Sequence, residues 1–209
     1  MDDIYYDPAT GHGLAYDPFK AIVAPRPIGW ISTRAADGTV NLAPHSFFNA
    51  FVSRPPVIGF CSEGRNDTIR NVEATGEFVA NFVSRKLAAA MNLTSARVEP
   101  EVDEMALAKL AAAPCVQVRA PRVAEAPAAL ECRLIQVVQL NQLGGAALNS
   151  FLAIGQVVGV HIGADYIKDG RFDLAAADPV MRAGYRGDYA TLGEMFEMIR
   201  PEAAEVLQT

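Results

Sequence analysis

Arg26-Pro27-Ile28-Gly29-Trp30-Ile31-Ser32-Thr33 and, beyond a turn at Asp37-Gly38, Asn41-Leu42-Ala43-Pro44-His45-Ser46-Phe47-Phe48-Asn49-Ala50-Phe51 decide how the rest of the chain is read. The first run alternates as an amphipathic strand, with Ile28, Trp30 and Ser32 on one face and Gly29, Ile31 and Thr33 on the other. The second run reads as a short strand entering a loop dense in Asn, Ser and aromatic residues. Such a segment offers backbone amides and short polar groups to the edge of a flat heterocycle, and aromatic surface to its face. An ordinary β-hairpin over an aromatic core has the same pattern.

Working outward, strands are expected at 27–34, 39–44, 56–62, 77–83, 115–118, 129–141 and 151–163, rich in Val, Ile and Phe and punctuated by Gly, Pro, Asn or Asp. Helices are expected at 67–75, 85–93 and 103–112, the last stopping before Pro114. Residues 1–25 read as an irregular arm with a short helix near Pro18–Val23, since Pro18 suits a first helical position. The tail 178–209 is ambiguous. Thr191-Leu192-Gly193-Glu194 has capping-box spacing but carries Gly193 at a helical position, and Pro201 can open a final helix. Strands outnumber helices and follow one another as hairpins, which predicts a mainly β, antiparallel, closed or partly closed barrel with peripheral helices. The 209 residues contain no repeat or linker, so a single domain over 1–209 is expected.

Composition removes several classes of function. A formal charge of −6 without a basic stretch argues against nucleic acid. The start Met1-Asp2-Asp3 does not resemble a signal peptide, and no run approaches the roughly 18 apolar residues of a membrane span. A cytoplasmic protein is expected. Cys61, Cys115 and Cys132 are far apart and read as buried free thiols, and His12, His45 and His161 lack zinc-site spacing, so no metal is expected. There is no Gly-x-Ser-x-Gly elbow, Gly-x-Gly-x-x-Gly or Walker lysine, and His45 beside Ser46 has no acid to orient it.

Two further segments can carry chemistry. The strand Pro56–Cys61 runs into Ser62-Glu63-Gly64-Arg65-Asn66-Asp67-Thr68 and then a helix, an arrangement whose free amides and dipole attract a phosphate. Ser62 and Thr68 add hydroxyls, and Arg65 adds a guanidinium. On the residues alone, a plain helix start capped by Asn66 or Asp67 is the favoured reading. In the run 151–163, Phe151, Ala153, Gly155, Val157, Gly159, His161 and Gly163 share a face bare enough for a ligand or a second backbone to approach. His161 stands at its edge, and on the residues alone a structural histidine is the favoured reading. Asn81, polar within Phe78–Phe82, requires a hydrogen-bond partner if buried.

The Arg26–Thr33 and Asn41–Phe51 runs, with Asn66-Asp67-Thr68, resemble the flavin-reductase-like family over roughly residues 18–200, most strongly over 25–83. The resemblance implies an FMN-binding split β-barrel, antiparallel and Greek-key-like, acting as a homodimer. It implies that Ser32 and Thr33 lie beside the ribityl chain and phosphate, and that Asn49, Ala50 and Phe51 run along the isoalloxazine edge. Ser62, Arg65, Asp67 and Thr68 would hold the phosphate, with Arg65 replacing a lysine that the family usually carries one residue later. Asn81 would meet either a protein group or the flavin, and His161 would orient or protonate the reduced ring as the catalytic candidate. Asp178–Tyr189 resembles a looser version of the family's closing segment, with Arg182 and Tyr189 over the flavin or in the subunit contact, or packed for structure alone. The resemblance equally implies a largely extended tail 178–209 that wraps over the barrel. The activity implied is an NAD(P)H-dependent flavin reductase, with NADH or NADPH as donor and a flavin-dependent monooxygenase as a possible recipient. A non-catalytic, flavoredoxin-like electron carrier and an FMN-dependent oxidase remain alternatives.

Overall fold

The computed structural model describes residues 3–203. In chain order the elements are α1 (Phe19–Ile22), β1 (Gly29–Arg34), β2 (Val40–His45), β3 (Phe47–Ser53), β4 (Pro56–Glu63), α2 (Asp67–Thr75), β5 (Glu77–Asn81), α3 (Ala88–Leu93) and α4 (Glu104–Leu107). There follow β6 (Ala112–Ala113), β7 (Arg122–Val123), β8 (Ala128–Asn141), β9 (Ala147–Ile162), β10 (Ile167–Lys168), β11 (Arg171–Phe172), α5 (Leu174–Ala177), β12 (Val180–Arg182) and β13 (Tyr189–Thr191). Seven strands form one sheet in the order β2-β1-β5-β8-β9-β4-β3, every pairing antiparallel.

One connection closes this sheet. β2 and β3 are its opposite edges, yet Ser46 alone separates them in the chain. A single residue bridges two edges only if the sheet rolls until they meet, so the sheet is a split barrel and Ser46 marks its seam. Register shifts at Glu131/Cys132, Leu134/Gln136 and Gln139/Asn141 supply curvature, because each extra residue bends the long β8–β9 hairpin.

Alternation along β1 sorts the core into two parts. Ile31 joins Phe60, Phe78, Cys132, Phe151 and Ala153, where Ile69 and Val72 of α2 also pack. Trp30 faces the other way, onto Leu42, Leu87, Met91 and Met105 under α3 and α4. Its indole N–H donates to Thr94 Oγ1 at 2.9 Å, which satisfies the polar end of a fully buried ring. The expected helix at 67–75 is present, with Asn66 as the cap accepting from the Ile69 amide.

Several expectations are corrected. The 45–51 loop is largely the edge strand β3. Residues 115–118 form no strand, because two carboxylates replace a partner strand. Glu131 accepts from the amides of Val116, Gln117 and Val118, and Glu77 accepts from those of Arg119 and Ala120. The helix expected at 103–112 ends at Leu107, where Lys109 turns left-handed with φ 54°. That at 85–93 opens with a 3₁₀ turn over Arg85–Leu87. In the tail, Thr191 ends a β-hairpin, and among the described residues no helix starts at the capping-box spacing. The helix expected after Pro201 falls mostly beyond residue 203, outside the described residues. Among the described residues no helix is long and apolar enough to cross a membrane.

Candidate functional site

Three cavities converge on the seam. The largest, about 640 Å³, lies between the β4–α2 loop and the 94–98 segment and is lined by Asn41, His45, Ser62, Gly64, Arg65, Asp67, Thr68, Arg97 and Glu104, with Lys20 reaching in from α1. A second, about 460 Å³, is walled by Ser95, Met91, Arg182, Arg186 and Tyr189. A third, about 500 Å³, runs along β3 past Asn49 and Phe51 and is roofed by Ile22–Pro27. Ser46 lines all three, so the cavities adjoin at the seam, and together they make up the groove.

The groove has the donors that a phosphate-bearing aromatic ligand requires. At one end the α2 N-terminus, Ser62 and Thr68 border the largest cavity. Arg65, the expected cation, is already engaged: its guanidinium reaches Glu73 at 2.5 Å and lies over the Phe151 ring. Arg97 makes no hydrogen bond or ion pair among the described residues. Among the described residues the Lys20 ammonium has only the Phe47 ring, 5.8 Å away. Sequence reading missed both, because neither is near the phosphate loop in the chain. Asp67 also lines the cavity but pairs with Arg70, its neighbour one helical turn on.

Buried polar atoms point to a ligand as well. Three buried side-chain nitrogens among the described residues lack a partner, and two of them, Arg26 Nε and His45 Nε2, belong to residues in the groove walls. An unsatisfied buried donor or acceptor costs about 1–3 kcal/mol, which a bound ligand can recover. The His45 ring packs at a tilt against Phe60, centroids 4.7 Å apart, and burial pulls its pKa down to about 4 against a smaller opposing pull from the Cys61 backbone, so it is neutral. Glu104 also borders the cavity, accepting from the Leu42 amide at 2.9 Å; burial raises its pKa.

Three other sequence-derived candidates are hydrogen-bonded within the protein. Ser32 donates to the Pro121 carbonyl at 2.6 Å, and Thr33 Oγ1 accepts from Asn71 and, at longer range, Asn41. Both are fully buried and line none of the three cavities. Asn81 donates to the Trp30 carbonyl and Ser32 Oγ and accepts from the Val123 amide, so its need for partners is met internally. Asn49 and Phe51 do line the β3 cavity. Ala50 lies between them, its amide donating to the Asn49 side chain. Arg182 and Tyr189 pair across the β12–β13 hairpin, the guanidinium 4.6 Å above the ring.

His161 is not brought to the groove. Its Nε2 lies 2.5 Å from Glu131 Oε1, and it sits ten residues beyond Phe151, which pairs with Ser62. At about 3.3 Å per residue that is roughly 30 Å along the strand. The bare face is filled by protein: a Cβ on Gly155 would meet Phe78 at 2.5 Å, and one on Gly159 would meet Glu131 at 3.1 Å. Cys115, Glu131 and His161 place their ligand atoms within 4.8 Å of one another, a proximity invisible in the sequence spacing. Both Glu131 oxygens already accept amides, however, and burial with the Glu131 charge pushes the Cys115 thiol up to about 11.

The family model of the flavin reductase like domain matches residues 23–177. The chain belongs to the flavin reductase-like family. Nitrilotriacetate monooxygenase component B from Bacillus cereus is 30% identical and superposes with a TM-score of 0.85, over 95% of this chain and 100% of that one. Flavoredoxin of Desulfovibrio vulgaris (Miyazaki F) shares the fold at 24% identity and TM-score 0.74, over 83% of this chain and 90% of that one. An uncharacterised protein of Deinococcus radiodurans is 37% identical across 96% of this chain and 91% of its own length. These findings agree with the split barrel of this flavin reductase-like chain.

Proposed function

We propose that this chain binds FMN in the groove and acts as an NAD(P)H-dependent flavin reductase. The observation that carries the reading is the convergence on Ser46 of a helix-start cavity bearing unengaged cations and a cavity running along β3. A ligand with a phosphate at one end and a planar ring at the other would lie across these two. Ser62, Thr68, the α2 amides, Arg97 and Lys20 would hold the phosphate, and the β3 edge with Asn49 and Phe51 would take the ring. Bound flavin supplies the hydride-accepting chemistry. The residues of the chain bind, orient and shield it. Arg182, Arg186 and Tyr189 border the second cavity, where an anionic nicotinamide donor would enter.

A homodimer is part of the proposal. Phe51 and Val52 on the edge strand are about half exposed, and Phe196, Met198 and Ile199 in the tail are about four-fifths exposed, apolar surface that a second copy would cover. The name of the Bacillus cereus neighbour, component B of a monooxygenase, supports a role in supplying reduced flavin to a separate oxygenase.

Anaerobic mixing of the FMN-loaded protein with NADH or NADPH, followed by flavin absorbance, tests the reaction. Rapid bleaching with turnover of added flavin is the expected result. Bleaching only by a protein donor would replace the reductase with an electron carrier, and turnover of a small amine with oxygen would replace it with an oxidase.

A further inference from the structure

Arg26 combines features that its surroundings leave unbalanced. It is 7% exposed and lines the β3 cavity. One terminal nitrogen, Nη1, donates to the Lys20 and Val23 carbonyls at 2.5 and 2.8 Å, which pins α1 to the barrel. The guanidinium carbon stands 5.6 Å over the Phe47 ring at the start of β3, and Nε is buried without a partner. No carboxylate pairs with it among the described residues. Arg182 bridges it backbone to backbone; among the described residues its guanidinium meets the Asp188 and Tyr185 carbonyls and the Tyr189 ring but no carboxylate, so a second cation without a counter-charge stands beside the first. Burial, and then the Arg182 charge, lower the Arg26 pKa from its ordinary value, as expected for a cation short of a counter-charge.

A buried guanidinium short of a counter-charge is costly, and an anion in the cavity that it lines relieves the cost. We propose that Arg26, reinforced by Arg182, sets the redox balance of the bound flavin by stabilising the reduced, negatively charged ring over the neutral oxidised one. This rests on FMN occupying the groove. On reduction the ring takes a hydride, two electrons and one proton, from a dihydronicotinamide, which leaves as the oxidised cation. The ring system thereby gains one negative charge, and a fixed positive charge beside it favours that product state. Arg26 is a tuning residue that does not exchange a proton.

The test is an anaerobic potential titration against a reference dye, on full-length FMN-loaded protein, for wild type, Arg26→Gln, Arg26→Lys and Arg182→Gln. Arg26→Gln should lose reduced-flavin affinity about tenfold more than oxidised affinity, a two-electron midpoint about 30 mV more negative. Arg26→Lys should retain most of the wild-type potential, and Arg182→Gln should shift it in the same direction as Arg26→Gln by less. A purely structural role for Arg26 predicts weaker binding of both forms and no shift. That outcome overturns the proposal. If Arg26→Gln does not fold or does not retain FMN, Arg182→Gln decides, and an unchanged potential there overturns the proposal equally. A wild-type protein that binds no FMN removes the reading on which it rests, and the proposal falls with it. One that binds FMN with a potential indifferent to both arginines defeats this inference alone.

Discussion

His161 Nε2 and Glu131 Oε1 are 2.5 Å apart, and the same carboxylate accepts the amides of Val116, Gln117 and Val118. Burial raises the Glu131 pKa, but those three amides and His161 together outweigh it and hold the carboxylate below its ordinary range. The pair ties the irregular 115–118 segment to the end of the β8–β9 hairpin. Glu131→Ala should therefore cost about 3–5 kcal/mol, since it strands the buried Val118 amide, two partly buried amides and an imidazole. His161→Ala should destabilise less and leave FMN affinity unchanged. Urea unfolding and a flavin titration measure the two effects, and an FMN affinity that drops in His161→Ala would return His161 to the site.

His45 makes stability depend on pH. Its folded pKa of about 4 lies below the unfolded value near 6.5, so the unfolded chain binds the extra proton between them and stability rises with pH in that window. On acidification from pH 6.5 to 4 this histidine alone removes about 3 kcal/mol, and nothing above pH 6.5. His45→Leu should show a shallower loss over that interval. Denaturant midpoints at several pH values test it.

The phosphate end of the groove should depend on cations distant in sequence. Arg97→Ala and Lys20→Ala should each raise the FMN Kd by roughly tenfold or more, the value of a charge-assisted hydrogen bond, while riboflavin binding stays unchanged. Arg65→Ala should have a smaller effect because its guanidinium is held by Glu73. Paired FMN and riboflavin titrations report the difference, and equal losses for the two ligands would remove the phosphate from this cavity.

Gly155→Ala should lower stability by about 1–3 kcal/mol. Its Cβ would fall 2.5 Å from Phe78, a fully buried ring, with the Arg133 carbonyl at 3.2 Å behind it. A thermal midpoint several degrees below wild type is expected, and an unchanged midpoint would mean that the barrel interior yields more than its packing implies.

The sequence by itself determined the elements whose cause is local. Alternation placed Trp30 and Ile31 on opposite faces of β1, a cap at Asn66 or Asp67 opened α2 (Asn66 is the one whose side chain reaches the Ile69 amide), and the 25–83 motifs carried the family. Those features depend on residues within a few positions of one another, where period and capping chemistry operate. The run of hairpins predicted a closed or partly closed barrel, but not where it closes, because nothing local marks Ser46 as the seam until two strands at opposite edges of a sheet meet there. Tertiary structure also reassigned the polar residues. Asn81, Ser32 and Thr33 found partners far away in the chain, His161 was claimed by a buried carboxylate, and Arg65 by Glu73. Lys20, Arg97 and Arg26 meanwhile came to line the groove from separate segments. Whether a polar group faces a ligand or a protein partner is decided by which desolvated neighbours the fold delivers to it, and that information is non-local.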